Sequence, residues 1–443
     1  MTRCGLNLYG HLSSSIGVGA AARNTARSLD SLGVPFVAVN VAPTPPPEQQ
    51  PMGDEFHVAQ VGVRPPYDIN LFHMNPPEIR EFLNSPDAVV PLTHFNAAVP
   101  FWELSELPGS WVECLSAMDA VLAPSMFLAD MIERAMPGLP VLHFPQGIRL
   151  PVHVRVDRDR WGMEPDATVF VCGFDLRSGM TRKNPLGVIA AFNAAFGESE
   201  AVQLIIRVNN AQSADYQSDM ETLVEATGGR VRLLLGPLDY PEVLSFYASA
   251  DVYVSLHRAE GLGLGLLEAM SMGMPVIATA YSGNMDFMNV DTGMLVDYRL
   301  VPVAPSLVYG APHEGQKWAE PDIDQAAAAM SALHQDASLR QSLGLRAAAR
   351  AAEVNSLHAA GAVFEELRKL ALMRPRSRRH HRPIRELAVA GPRARRRRRV
   401  VALLRAFKLK PPAPVGEEPP VYPVVTGPEG LGLPHGAQGG GEQ

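Results

Sequence analysis

From residue 168 onward, short apolar runs alternate with helical patterns at regular spacing, and this alternation constrains the fold more than any other feature of the chain. Strands are predicted at 168–174, 203–208, 231–235, 251–255 and 275–278, with helices at 185–196, 217–227, 240–250 and 263–272. Parallel strands need a crossover, usually a helix, so the pattern specifies a doubly wound parallel α/β sheet. The first part of the chain repeats the theme more loosely. Its strands are predicted at 5–9, 34–41, 67–72, 120–123 and 140–144, with helices at 19–32 and 125–135. A polar, irregular stretch around 147–166 separates the two series. The 443 residues thus read as two Rossmann-like domains facing a cleft, 1–150 and 151–371, the Ala-rich helical stretch 322–371 completing the second.

Composition sets further limits. Apolar residues make up 47% of the chain and charged residues 19%, which allows a large core and excludes general disorder. Cys4, Cys114 and Cys172 are scattered, which fits a reducing compartment better than a disulfide framework or a structural zinc site. No signal-like start and no apolar run of about 18 residues is read, so the expectation is a cytoplasmic chain that crosses no membrane.

The net charge of −7 is unevenly spread. Arg374–Lys410 holds 13 Arg and 2 Lys against one Glu, a net +14, whereas residues 411–443 hold four Glu and no Lys or Arg, leaving −17 on 1–373. Within the basic segment 372–410, Val400, Leu403, Leu404 and Phe407 fall on one helical face. A basic amphipathic segment of this kind fits an anionic membrane surface, and hence a peripheral protein. A solvated basic tail is the plain alternative. Nucleic acid is disfavoured, because the segment carries one aromatic residue and no surrounding fold. Residues 411–443, with 8 Pro and 8 Gly, read as a disordered tail.

The most informative stretch is 255–287, SLHRAEGLGLGLLEAMSMGMPVIATAYSGNMDF. It follows a strand, which places Glu260 beyond the sheet's carboxyl edge, where ligands bind in open α/β sheets. Gly261, Gly263 and Gly265 then open a helix whose N-terminus suits a phosphate. Glu268 lies one turn in, and carboxylates accept well from sugar and ribose hydroxyls. An ordinary strand–Gly–helix turn with two solvated glutamates fits equally. In FDLRSGMTRKNP, 174–185, Arg182 and Lys183 precede a helix that Pro185 can open. They would meet a diphosphate, unless they are simply solvated. In the first loop, 10–23, Gly17 and Gly19 allow backbone approach to a ligand, but the spacing is not the dinucleotide fingerprint and no acid follows the second strand. His257 is within reach of the site. His94 lies in the first domain, and His11, His73 and His143 read as packing or surface groups. Cys172 reads as a buried small hydrophobe.

Residues 255–287 together with 174–185 resemble the retaining glycosyltransferases of family 4, which have the GT-B fold. The likeness is to the branch that carries S-L-H-R-x-E-G…E and F-D-x-x-S-x-x-x-R-K-N-P. It extends over residues 5–370, through Gly17-Val18-Gly19, Asn70-Leu71, Phe101-Trp102-Glu103-Leu104, Ala123-Pro124-Ser125 and Trp318-Ala319-Glu320-Pro321-Asp322. The resemblance implies a hexosyltransferase with a nucleotide-diphosphate sugar as donor and a polysaccharide or lipid-linked glycan as acceptor. Glu260 would lie beside the donor sugar and Glu268 would hold the ribose. Arg182 and Lys183 would neutralise the leaving diphosphate and the amides of Gly263 and Leu264 would add N–H donors, the leaving phosphate in the family assisting deprotonation of the acceptor on the same face. No metal and no cofactor is expected. Leu262 stands where the family usually has Phe, and Gly265 where it has Thr. Other GT-B activities, such as a nucleotide-sugar epimerase, and a non-catalytic scaffold recruited through the basic tail are the competing readings.

Overall fold

The computed structural model describes residues 5–14, 16–41, 58–59, 64–86, 88–91, 93–198, 201–303, 315–359, 361–373 and 424–425. The first domain comprises β1 (Leu6–Gly10), α1 (Gly17–Ser31), β2 (Phe36–Asn40), β3 (Val58–Ala59), β4 (Ile69–His73), α2 (Pro76–Leu83), β5 (Phe95–Ala98), α3 (Gly109–Leu115), β6 (Ala120–Ala123), α4 (Met126–Ala135) and β7 (Val141–His143). Its seven strands lie in the order β3-β2-β1-β4-β5-β6-β7, all parallel. One face packs Leu6, Leu8 and Phe95 against Ala26 and Leu29 of α1. The other packs Tyr9, Phe72 and Val121 against α2, α3 and α4.

The strand β5 is absent from the sequence reading. Its sequence, Phe-Asn-Ala-Ala, looks polar at the centre, yet Asn96 completes a buried amide ladder. Asn7 Nδ2 donates to Asn70 Oδ1, and Asn70 Nδ2 to Asn96 Oδ1, both at 2.9 Å. Side-chain pairing across β1, β4 and β5 satisfies groups that burial would otherwise penalise.

The second domain comprises β8 (Thr168–Asp175), α5 (Met180–Lys183), α6 (Pro185–Ala195), β9 (Val202–Asn209), α7 (Gln217–Thr227), β10 (Arg232–Leu235), α8 (Tyr240–Ala248), β11 (Val252–Ser255), α9 (Leu264–Ser271), β12 (Val276–Thr279) and β13 (Met294–Val296). The hairpin β14 (Tyr298–Pro302) and β15 (Lys317–Pro321) and the helices α10 (Ile323–Gln335), α11 (Ala337–Ala359) and α12 (Ala362–Met373) follow. The sheet runs β13-β12-β11-β8-β9-β10, parallel throughout, with the two-residue β16 (Val424–Val425) antiparallel on β10. In β8, Phe170, Cys172 and Phe174 face α6, α7 and α10, whereas Val169 and Val171 face α8, α9 and α11. Burial on both faces explains why this strand reads as a nearly unbroken apolar run.

The helical stretch 322–371 divides into three, and the last of them leaves the second domain. Phe364 and Leu367 of α12 pack with Leu6, Leu8 and Phe144 of the first domain, the Phe144 and Phe364 rings lying 5.3 Å apart. α12 thus finds cover for its apolar face on the first sheet. The expected boundary at 150 falls in the irregular segment between β7 and β8. The basic segment 372–410 and the Pro/Gly-rich stretch 411–443 lie outside the described residues, apart from Leu372, Met373 and the pair Val424–Val425. Among the described residues, no helix is long and apolar enough to cross a membrane.

Candidate functional site

The carboxyl edges of both sheets face a cleft of about 870 Å³. Its second-domain wall is built from the ends of β8, β9 and β11 and the turns that follow them. After β8, Asp175 accepts from Arg177 N at 2.8 Å and Asn210 Nδ2 at 2.9 Å, which fixes the turn leading into α5. Asn184 then takes a left-handed conformation and its Oδ1 accepts from Gly187 N at 3.2 Å, so α5 ends and α6 starts with Pro185 at its first position. This bend delivers Arg182 and Lys183 to the loop after β11.

There Glu260 meets both cations. Its Oε1 accepts from Lys183 Nζ, and its Oε2 lies 3.5 Å from Arg182 Nη1. Burial alone would raise the Glu260 carboxyl, but Lys183 and Arg182 outweigh it and hold it at about 2. Arg182 is 3% exposed and also donates to Ser178 O at 3.0 Å and Ala259 O at 2.9 Å, so it braces the loop as much as it faces the cleft. Lys183, 23% exposed, is the more accessible cation. The backbone of Glu260 is fixed in turn: its N–H donates to Ser282 Oγ at 2.8 Å, and its carbonyl accepts from Gly283 N at 2.9 Å. Ser282 holds φ +76°, a conformation that costs of order 1–3 kcal/mol away from glycine and clusters at functional sites.

Gly263, at φ +94°, caps α9 in a left-handed conformation that only glycine enters freely, and with Leu264 and Gly265 it lines the cleft. The first N–H groups of α9 therefore point at the same space as Lys183. Glu268 lies outside the lining residues. Its Oε1 accepts from the Tyr240 hydroxyl at 3.0 Å, and burial raises its carboxyl to about 7 against the opposing influence of Tyr240 and Arg207.

The remaining expected residues divide. Gly17 lines the cleft at the start of α1, two residues earlier than the predicted helix start. Gly19 does not line it. A Cβ there would come 2.6 Å from His11 O and from Ser14 O, so the residue is small to let its own loop close. His257 also sits behind the wall: it is fully buried, with Nδ1 3.0 Å from Ser255 Oγ and Nε2 3.2 Å from Asn284 Oδ1, and burial lowers its pKa. His143, read as a packing or surface group, bridges the domains through Asp286 at 2.8 Å. His94 faces Asp68 at 3.8 Å, away from the cleft lining. Cys172 lines the floor as a neutral thiol, pushed up to about 12 by burial.

Arg207 and Glu103 line the cleft without a role in the sequence reading. Arg207 reaches the cleft from the apolar run of β9, where a lone cation in a parallel strand was the available signal. Glu103, in the loop after β5, faces the second domain across the cleft with Oε1 3.8 Å from Arg182 Nη2. Burial and Glu260 raise its pKa, against Arg182 and Lys183. Arg258 ties the wall to the hairpin, donating to Glu320 at 2.7 and 2.8 Å, which joins the two motifs SLHRAE and WAEPD. Among the described residues, no cluster of three or more His, Cys, Asp or Glu is placed to hold a metal ion.

Two Rossmann-like domains facing such a cleft define an α/β protein of GT-B architecture. Residues 176–304 match the family described as Glycosyl transferases group 1. The chain is 27% identical over 169 residues to the GDP-mannose-dependent monoacylated alpha-(1-6)-phosphatidylinositol monomannoside mannosyltransferase of Corynebacterium glutamicum, which covers 35% of this chain and 42% of that protein. It thus spans less than half the length of that relative. Its fold is similar to sucrose-phosphate synthase from Thermosynechococcus elongatus, with 17% identity over 83% of this chain and 100% of the other at a TM-score of 0.59. It is also similar to HepE of Anabaena in complex with UDP and glucose, with 15% identity, 83% and 100% coverage and a TM-score of 0.57.

Proposed function

We propose that the protein is a retaining glycosyltransferase, moving a hexosyl unit from a nucleotide-diphosphate sugar to a polysaccharide or lipid-linked glycan. One observation carries this reading: Lys183, Arg182 and the start of α9 converge beside Glu260 at the carboxyl edge of the second sheet. That arrangement suits a sugar diphosphate, with positive groups where the leaving phosphate gathers charge and a carboxylate where the sugar hydroxyls would lie. The match of 176–304 to group 1 glycosyltransferases and the UDP and glucose held by HepE support it. In this reading Glu268 accepts from the ribose, Gly17 and the amides of Gly263 and Leu264 approach the phosphates, and closure of the two domains excludes water.

Incubation with UDP-, GDP- and ADP-hexoses and an extract of lipid-linked glycans tests the proposal by ¹H NMR of the anomeric proton. The expected product keeps the donor's anomeric configuration. An inverted product, or an epimerised donor with no transfer, would overturn it. The basic segment 374–410 is proposed to bring the enzyme to an anionic membrane surface, as its 15 cations against one acid favour.

A further inference from the structure

Tyr253 carries a hydroxyl in a place that packing alone would fill with an apolar side chain. It lies in β11 between Val252 and Val254, which face the other side of the sheet, and it packs with Val171, Leu266 and Leu267 beneath α9. Yet Tyr253 also lines the cleft. Its hydroxyl reaches the first turn of α9, where a Cβ on Gly265 would lie 2.8 Å from it. We propose that Tyr253 is a further donor-binding residue, its hydroxyl donating to the diphosphate from the space that a side chain on Gly265 would otherwise enter. The proposal rests on the glycosyltransferase reading and adds to it a contact that neither Lys183 nor Arg182 supplies.

Three observations support it. First, the hydroxyl stands beside amides suited to an anion. α9 starts at Leu264, and the amides of Leu266 and Leu267 each donate to Gly263 O at 3.1 Å. The N–H groups of Leu264 and Gly265 come earlier in the first turn and have no acceptor within the helix. An O–H beside two such N–H groups extends the set of donors that a phosphate would meet. Second, Tyr253 keeps its proton. Burial, with Tyr247, Cys172, Glu268 and Glu260 around it, holds the phenol well above its usual range, so it acts as a donor. The neighbouring tyrosines are engaged elsewhere: Tyr240 donates to Glu268 at 3.0 Å, and Tyr247 faces Arg207. Third, the hydroxyl is held in place. The Tyr247 and Tyr253 rings meet edge to face, 5.1 Å apart and at 85°. Tyr247 is admitted by the same device, since a Cβ on Gly173 of β8 would collide with the Tyr247 hydroxyl. A phenol fixed by such packing meets a ligand with little freedom left to lose.

Titration calorimetry on the full chain tests this, with UDP, GDP and ADP and the nucleoside of whichever binds. The proteins compared are wild type, Tyr253→Phe, and Tyr253→Phe combined with Gly265→Thr. Tyr253→Phe keeps the ring, and its melting temperature should stay near that of wild type. It should weaken the diphosphate about tenfold, the effect of losing a hydrogen bond to a charged group, and leave the nucleoside unchanged. The double variant returns a hydroxyl to the same space from the helix side and should recover most of the lost diphosphate affinity. A tyrosine that only packed would show no such rescue. Unchanged diphosphate affinity in Tyr253→Phe, an equal loss for the nucleoside, or a folded double variant as weak as Tyr253→Phe would overturn the proposal. Absence of nucleoside diphosphate binding in wild type would defeat the glycosyltransferase reading together with the proposal. Binding by wild type with no loss in Tyr253→Phe would defeat the proposal alone.

Discussion

Lys183 Nζ donates directly to the Glu260 carboxylate, so the cation best placed to meet a diphosphate is paired with the carboxylate beside it. In the proposed function a diphosphate competes with Glu260 for the Lys183 ammonium. Glu260→Gln should therefore tighten nucleoside diphosphate binding while reducing glycosyl transfer at least about a hundredfold, the scale seen when a transition-state contact is removed. Titration calorimetry and a diphosphate-release assay on the same preparations check the two halves.

The same ion pair sets a behaviour in acid. The Glu260 carboxyl falls from 4.5 to about 2 on folding, so its stabilisation is present above 4.5 and is lost as pH falls towards about 2. Thermal denaturation across that range should show a steeper loss in wild type than in Glu260→Gln.

Glu268 behaves in the opposite sense. Its carboxyl rises from 4.5 to about 7, so the folded state favours the protonated form. The stability this contributes is complete below 4.5 and is lost as pH rises through about 7. Glu268→Gln should flatten the pH dependence of melting over that interval. If Glu268 accepts from a ribose, ribonucleotide affinity should rise as pH passes about 7, while a 2′,3′-dideoxynucleotide should show no such rise.

Gly265 is explained by its surroundings. A Cβ there would lie 2.8 Å from the Tyr253 hydroxyl, so the Thr usual in the resembling family does not fit this cleft. Gly265→Thr should destabilise by about 1–3 kcal/mol, the cost of overpacking. Adding Tyr253→Phe should recover much of the loss, as a double-mutant melting series would report.

Deletion of 374–443 should lower binding to vesicles containing phosphatidylglycerol and leave binding to neutral phosphatidylcholine vesicles unchanged. Co-sedimentation compares the two chains, and transfer to a soluble acceptor should be largely retained.

Much of the fold was legible because the second sheet is covered on both faces. Strands such as β8 then read as apolar runs, and the helix starts at Pro185 and Gly263 carry their own local signals. The strand β5 was hidden because Asn96 is satisfied by Asn70, a partner that exists only once the sheet has formed. The excursion of α12 to the first domain depends on which apolar face lies uncovered, and the local pattern does not encode that. In the site, Glu260, Arg182, Lys183 and Gly263 were legible because turn chemistry beside strands is local. Glu103 gains its position from tertiary juxtaposition alone, whereas Arg207 carries the signal of a lone cation in an apolar strand. Gly19 and His257 carry residue types that suit a ligand as well as they suit packing, and here packing uses them.

The central claim is that this cleft binds a diphosphate through Lys183. The most direct measurement is calorimetric titration of UDP, GDP and ADP, and of the nucleoside of whichever binds, into wild type and Lys183→Ala. The account predicts that at least one diphosphate binds and that Lys183→Ala weakens it at least about tenfold while leaving the nucleoside unaffected. Absence of binding by all three, or an equal loss for the nucleoside, would contradict it.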